Sequence, residues 1–246
     1  MHLPRLLRAV LFGLVGSLLL FAMVPTLYAQ VSVPAEPPDP PDQPPFGLPF
    51  TDDPGLSTWY IVQWYGNTTF AFHWRDYYYE AGQGLHFGLD FSARCGTEIH
   101  AIGDGIITYV DEARFGSGPH NLIIDHQNGF TSLYGHLLER SSLKPGQSVQ
   151  QGDVIGLSGD PDGTCDSRPH LHLEIRDDSY HYAYNPVIFI DADWDTLALF
   201  GPQWGFQRDL TAPRRWVTPT DQPPVDFWSE RLNDYAYPWP PDWLQQ

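Results

Sequence analysis

His170-Leu171-His172-Leu173-Glu174-Ile175 is the stretch on which the fold turns. A polar residue alternates with an aliphatic one at every step, the period of a β-strand whose successive side chains point to opposite faces. His170 and His172 therefore share one face, roughly 6.6–7 Å apart along the strand. One imidazole can hold a metal while the other reaches a water on that metal. The spacing suits a catalytic site, which keeps a coordination position open, better than a closed structural one. Glu174 stands on the same face, either orienting a histidine or simply as a satisfied carboxylate.

A second stretch, Leu85-His86-Phe87-Gly88-Leu89-Asp90-Phe91, holds a further pair of ligand types. On one straight strand His86 and Asp90 would lie about 13 Å apart, at ~3.3 Å per residue, and could not share an ion. A bend at Gly88, with His86 at the end of an incoming loop, lets them converge. A helix would also bring them to one face, but Gly88 and the aromatic and aliphatic flanks favour a strand. The expected metal set is His86, Asp90 and one of the two strand histidines, with water in the fourth position.

Together with Leu133-Tyr134-Gly135-His136, these segments resemble the lysostaphin-type (LytM-type) zinc metallopeptidases, which cut peptide bonds in bacterial peptidoglycan. The resemblance runs over residues 85–176 and carries three signatures in order: His-x-x-x-Asp, Tyr-x-His and Pro-His-Leu-His-Leu-Glu. It implies one zinc ion per chain on His86, Asp90 and His172. It also implies a catalytic role for His136 and His170, as proton carriers and oxyanion stabilisers. A tyrosine upstream of the first metal histidine, Tyr79 or Tyr78, is the candidate for a further oxyanion stabiliser. The substrate implied is a peptidoglycan peptide. Residues 158–169, ahead of the paired histidines, form a longer and more acidic loop than the family's usual turn. Asp160, Asp162 and Asp166 in it faintly echo a calcium loop without the closing glutamate.

The other histidines, His2, His73, His100, His120, His126 and His181, read as ordinary surface or core residues. Cys95 and Cys165 are the two cysteines and flank the metal-ligand segments. In an exported protein an even pair favours a disulfide, here one that tethers the acidic loop to the Asp90 strand.

Composition narrows the rest. The formal charge is −17, from 30 acidic and 13 basic residues, and Lys144 is the one lysine. Nucleic-acid binding is disfavoured, since phosphates need a basic patch. Bulk attraction to anionic wall polymers is disfavoured too, so substrate must be recognised locally, in a groove. A lipoyl-type carrier is discounted, because Lys144 does not sit at a suitable hairpin tip.

Residues 1–29 read as an export signal with a basic start, Arg5 and Arg8, and a plausible cleavage point at Ala29. Residues 30–49 form a Pro-rich linker. Residues 50–190 form the zinc metallopeptidase domain, and 191–246 a Trp/Pro/Asp-rich extension packed on it by its rings. The expected fold is mainly β: a compact antiparallel, sandwich-like sheet with little helix, its short loops forming a groove. Expected strands lie at 59–65, 69–75, 106–111, 121–126 and 131–134, with Asn128-Gly129 as a hairpin turn and helical turns over 136–143. The leading expectation is a secreted, extracytoplasmic zinc endopeptidase, monomeric and without stable membrane insertion once the signal is cleaved. An uncleaved signal would anchor it. The alternative is a non-catalytic relative that regulates wall hydrolases, though none of the metal residues is missing.

Overall fold

The computed structural model describes residues 39–208, 212, 216 and 218–235. The expected export signal, residues 30–38 of the expected linker and Trp239 and Trp243 lie outside the described residues. Among the described residues no helix is long and apolar enough to cross a membrane.

Among the described residues eleven strands follow in order: β1 Trp59–Gln63, β2 Leu89–Ala93, β3 Glu98–His100, β4 Gly105–Val110, β5 His120–Asp125 and β6 Phe130–Leu137. Then come β7 Ser148–Val149, β8 Val154–Leu157, β9 His170–Asp177, β10 Tyr182–Tyr184 and β11 Val225–Asp226. Nine of them make one sheet, whose main path runs β1-β2-β9-β6-β5-β4-β7, with β10 paired to β9 and β11 to β10. β3 and β8 pair as a separate ribbon. Every strand pairing in both sheets is antiparallel, so the fold is the mainly-β one expected.

β9 is the centre of the construction. It lies between β2 and β6, and all eight of its residues are buried. Leu171, Leu173 and Ile175 alternate with the polar residues and enter the main core with Phe91 and Tyr134. The odd positions thus anchor the strand by apolar burial, leaving the even positions to carry chemistry. The Asn128-Gly129 turn joins β5 to β6, with Gly129 at φ 90°.

Two expected elements are different. Residues 69–75 are not a strand: Thr69–His73 is a short helix, α1. The aromatic spacing Phe70, Phe72, Trp74 mimics a strand's period, but Thr68 caps the helix by accepting the Ala71 N–H at 3.0 Å. Residues 136–143 form no helical turn. The Leu138 N–H bonds to the Leu157 carbonyl and the Gly159 N–H to the His136 carbonyl, so this chain pairs sideways with its neighbour instead of coiling on itself.

The end of the expected linker is docked on the domain. Phe46 is buried against Phe189, and the Gly47 N–H bonds to the Ile102 carbonyl at 2.8 Å. Beyond Ile190, a second short helix, α2 Trp194–Leu197, buries Leu197 in the core. Further on, Gln222 accepts the Asn67 N–H, and Val225 pairs with Ala183.

Candidate metal centre

Three neighbouring strands and one loop build the site. Asp90 on β2 lies directly across from His172 on β9, and His172 lies across from Gly135 on β6, whose next residue is His136. His86 arrives from outside the sheet: its backbone pairs with Gly66, and β2 begins only at Leu89. This is the bend at Gly88 expected from the sequence. Glycine is required there, since a Cβ at Gly88 would lie 2.7 Å from the His172 ring and from the Leu173 carbonyl.

The bend brings together three ligand atoms. His86 Nε2 and His172 Nδ1 are 3.2 Å apart, and each faces Asp90 Oδ1, at 3.2 and 2.7 Å. All three residues are buried, and theirs is the one group of His, Cys, Asp and Glu among the described residues that could hold a metal ion. The set fits a divalent ion. Tetrahedral bonds of about 2.0–2.1 Å put ligand atoms roughly 3.3 Å apart, so only a small opening of the triad is needed.

The far side of each imidazole fixes its tautomer. His86 Nδ1–H donates to the Trp64 carbonyl at 2.7 Å, leaving Nε2 as the donor atom. His172 Nε2–H donates to Glu174 Oε1 at 3.1 Å, which reserves Nδ1 for an ion; without one, Nδ1–H donates to Asp90 Oδ1 at 2.7 Å. Glu174 is itself held by Arg176 Nε at 2.6 Å. The strand alternation therefore runs on past Ile175: His170, His172, Glu174 and Arg176 share one face, and the last three form a relay of contacts. This decides for Glu174 as a residue that orients His172, an arrangement common behind metal-bound histidines. Trp64 and Arg176 were not foreseen. Arg176 sat in plain view at the next even position; no local signal marks the Trp64 carbonyl.

Electrostatics agree with the geometry. Burial alone would depress the His172 pKa, but hydrogen bonds to Asp90 and Glu174 overcome it and raise the value to about 9. Burial would raise Asp90, yet the neighbouring His86 and His170 and the His172 hydrogen bond hold it well below the usual carboxylate range. Glu174, fully buried, is brought down to about 2 chiefly by Arg176.

His136 and His170 flank the triad, their rings 4.7 Å apart, and His136 is 5.8 Å from the His172 ring. His170 Nδ1–H donates to the Arg168 carbonyl at 2.6 Å, and His170 Nε2 lies 3.8 Å from Asp90 Oδ2. His136 Nδ1–H donates to the Gly118 carbonyl. His136 adopts a left-handed backbone (φ 57°), and its N–H bonds to Ser117. Burial, followed by the two neighbouring imidazoles, lowers its pKa to about 3, so it is neutral near pH 7. The Tyr79 ring stands 5.6 Å from that of His86, and its hydroxyl engages Gln63. Burial and then the Asp90 charge push its pKa up. Tyr78 is mostly exposed at the rim.

All five histidine and aspartate residues open onto a groove of about 660 Å³, walled by Tyr79, Phe70, Trp204 and Arg168. The acidic loop does rim it. Asp160 there accepts from the Ser167 and Arg168 backbone N–H groups, and Asp162 from Thr164. These carboxylates are turn-makers. The Cys95–Cys165 disulfide ties the loop to the end of β2. His126 bonds to Asp104 and Ser132, away from the triad.

Residues 84–186 match the model of Peptidase family M23. The DD-carboxypeptidase/endopeptidase Mpg of Neisseria meningitidis is 38% identical over 92 residues, 37% of this chain and 20% of that protein. Lysostaphin of Staphylococcus staphylolyticus is 28% identical over 131 residues, 52% of this chain and 27% of that protein. The catalytic domain of lysostaphin from Staphylococcus simulans superposes with a TM-score of 0.38 at 29% identity, covering 43% of this chain and 79% of that one. The matched segment thus spans about a fifth to a quarter of the curated relatives' length. The segment that carries the triad, His136 and His170 is thus the one that matches Peptidase family M23.

Proposed function

We propose that this chain is an exported zinc metalloendopeptidase that hydrolyses peptide bonds of bacterial peptidoglycan, in a cross-bridge or a stem peptide. One observation carries the reading: His86 Nε2, Asp90 Oδ1 and His172 Nδ1 converge in a groove that also holds two further histidines. The names of the relatives, a DD-carboxypeptidase/endopeptidase and lysostaphin, support the substrate class.

His86, Asp90 and His172 would hold the ion. When bound there, zinc would lower the pKa of a water and polarise the scissile carbonyl. The protein does the rest. His136, with Nδ1–H committed to Gly118, turns its Nε2 lone pair to the groove, where it can accept a proton. His170, with Nδ1 turned to Arg168, presents Nε2 to the same space. Between them the pair can take a proton from water and pass one to the leaving amine. Tyr79 OH, positioned by Gln63, is our candidate for a hydrogen bond to the developing oxyanion.

The test is mass spectrometry of peptidoglycan fragments after digestion, with chelator and His172→Ala controls. New peptide termini that require both metal and His172 are expected. Freshly purified protein without metal, inactive after zinc is added, would overturn the reading in favour of a regulatory relative.

A further inference from the structure

The groove has a charge balance unlike that of the chain. Among the described residues that line it, Arg168 is the one arginine or lysine and Asp90 the one carboxylate. Asp90 is committed to the triad, so Arg168 is the groove's one unspent full charge, in a chain of net charge −17.

Its position is built. The Arg168 N–H donates to Asp160 Oδ2 at 2.8 Å, and its carbonyl accepts from His170 Nδ1 at 2.6 Å. Three residues earlier the Cys95–Cys165 disulfide fastens the same loop. The backbone is therefore locked to a candidate catalytic histidine on one side and to the loop on the other. The guanidinium lies 5.9 Å from the Phe70 ring centre, and Phe70 rests on Trp204 at 5.0 Å. It lines the same groove as Tyr79, His86 and His170. Among the described residues it makes no ion pair. An exposed arginine on a rigid loop, backed by an aromatic wall, is preorganised for a planar anion.

We infer that Arg168 is a specificity-determining residue that pairs with a free carboxylate of the substrate peptide beside the scissile bond. The inference rests on the peptidase reading above. Bulk electrostatics alone would make this acidic protein favour substrates stripped of carboxylates. Arg168 reverses that preference locally.

Two measurements decide it. The first digests bacterial sacculi before and after their carboxylates are converted to carboxamides. Arg168→Met should lose roughly tenfold in kcat/KM on untreated sacculi, mostly through KM, and less than about twofold on amidated ones. Arg168→Lys, which keeps the charge, should retain most of the preference. Equal losses on both substrates would overturn the inference. The second uses zinc-loaded His136→Ala protein, so that ligand is not consumed. Its calorimetric probes are acetyl-L-alanyl-D-glutamyl-L-lysyl-D-alanyl-D-alanine and the same peptide fully amidated. The acid-to-amide affinity ratio should fall roughly tenfold on adding Arg168→Met. An unchanged ratio overturns the inference even if no sacculus is cut, whereas a fall in that ratio without cleavage would sink the peptidase reading alone. Should Arg168→Met fold poorly by thermal melting, Arg168→Gln takes its place in both measurements.

Discussion

His172 sits at the intersection of two demands. Without metal it is a cation between two carboxylates; with metal it must be neutral at Nδ1. Its raised pKa of about 9 fixes the sign of the pH dependence. Protonation stabilises the metal-free fold fully below the ordinary histidine value of about 6.5, and that contribution is lost as pH rises to 9. Metal loading shows the opposite trend. Zinc must displace about one proton, so apparent affinity should rise up to tenfold per pH unit between roughly 6.5 and 9, then level off. Calorimetric titration in buffers of different ionisation enthalpy reads the proton directly, and a pH-independent affinity would contradict the assignment. Glu174→Gln should cost about 10–100-fold in zinc affinity while leaving all three ligands in place. A competition assay with a chromophoric chelator measures it. Much of this was legible from residue types: His86, Asp90, His170 and His172 stand out because their spacing has a chemical use, whereas His136, and the choice of His172 as the ligand, came from the family resemblance. The Trp64 carbonyl does not, because any residue has a carbonyl and only the fold brings this one to His86.

The strands place these residues, and their register leaves little slack. Asp90 meets His172 because β2 and β9 pair antiparallel with those two residues opposed; a shift of β9 by one would turn His170 and His172 to the face away from Asp90. Gly88→Ala should show how tight the fit is. The new methyl carbon would meet the His172 ring at 2.7 Å, so zinc affinity should drop tenfold or more alongside a lower melting temperature. An unchanged zinc affinity would show that the ring has room to move. The disulfide joins the same pair of strands from outside the register. Replacing Cys95 and Cys165 with serine should cost about 2–4 kcal/mol in denaturant unfolding. Strands announced by strict alternation or a turn signal, such as β5, β6 and β9, could be read from the sequence. α1 could not: its aromatic residues recur every second position, and only the Thr68 cap betrays a helix. The backbone after His136 was misread for a related reason, since the partner that extends it, Leu157, lies in a distant segment.

The whole chain carries a net charge of −17, while Asp90 is the one carboxylate among the described residues lining the groove. Anionic wall polymers repel a chain of charge −17, so cleavage of sacculi should speed up as ionic strength rises from about 0.01 to 0.15 M, where screening shortens to ~8 Å. A rate that falls with salt would point to attraction instead. The C-terminal extension is structural as well as local. Leu197 enters the core and Trp204 stands in the groove wall, so truncation after Ile190 should abolish cooperative thermal unfolding. Composition revealed the extension's aromatic character but not its route, because irregular chain has no period to read. The central claim is that His86, Asp90 and His172 together hold one ion that makes the groove a peptidase. It is tested most directly by adding zinc stepwise to chelator-stripped protein while counting new peptide termini released from peptidoglycan. Release should saturate at one zinc per chain and be absent from Asp90→Ala at the same zinc levels. Cleavage that persists in the stripped protein, or that Asp90→Ala retains in full, would contradict it.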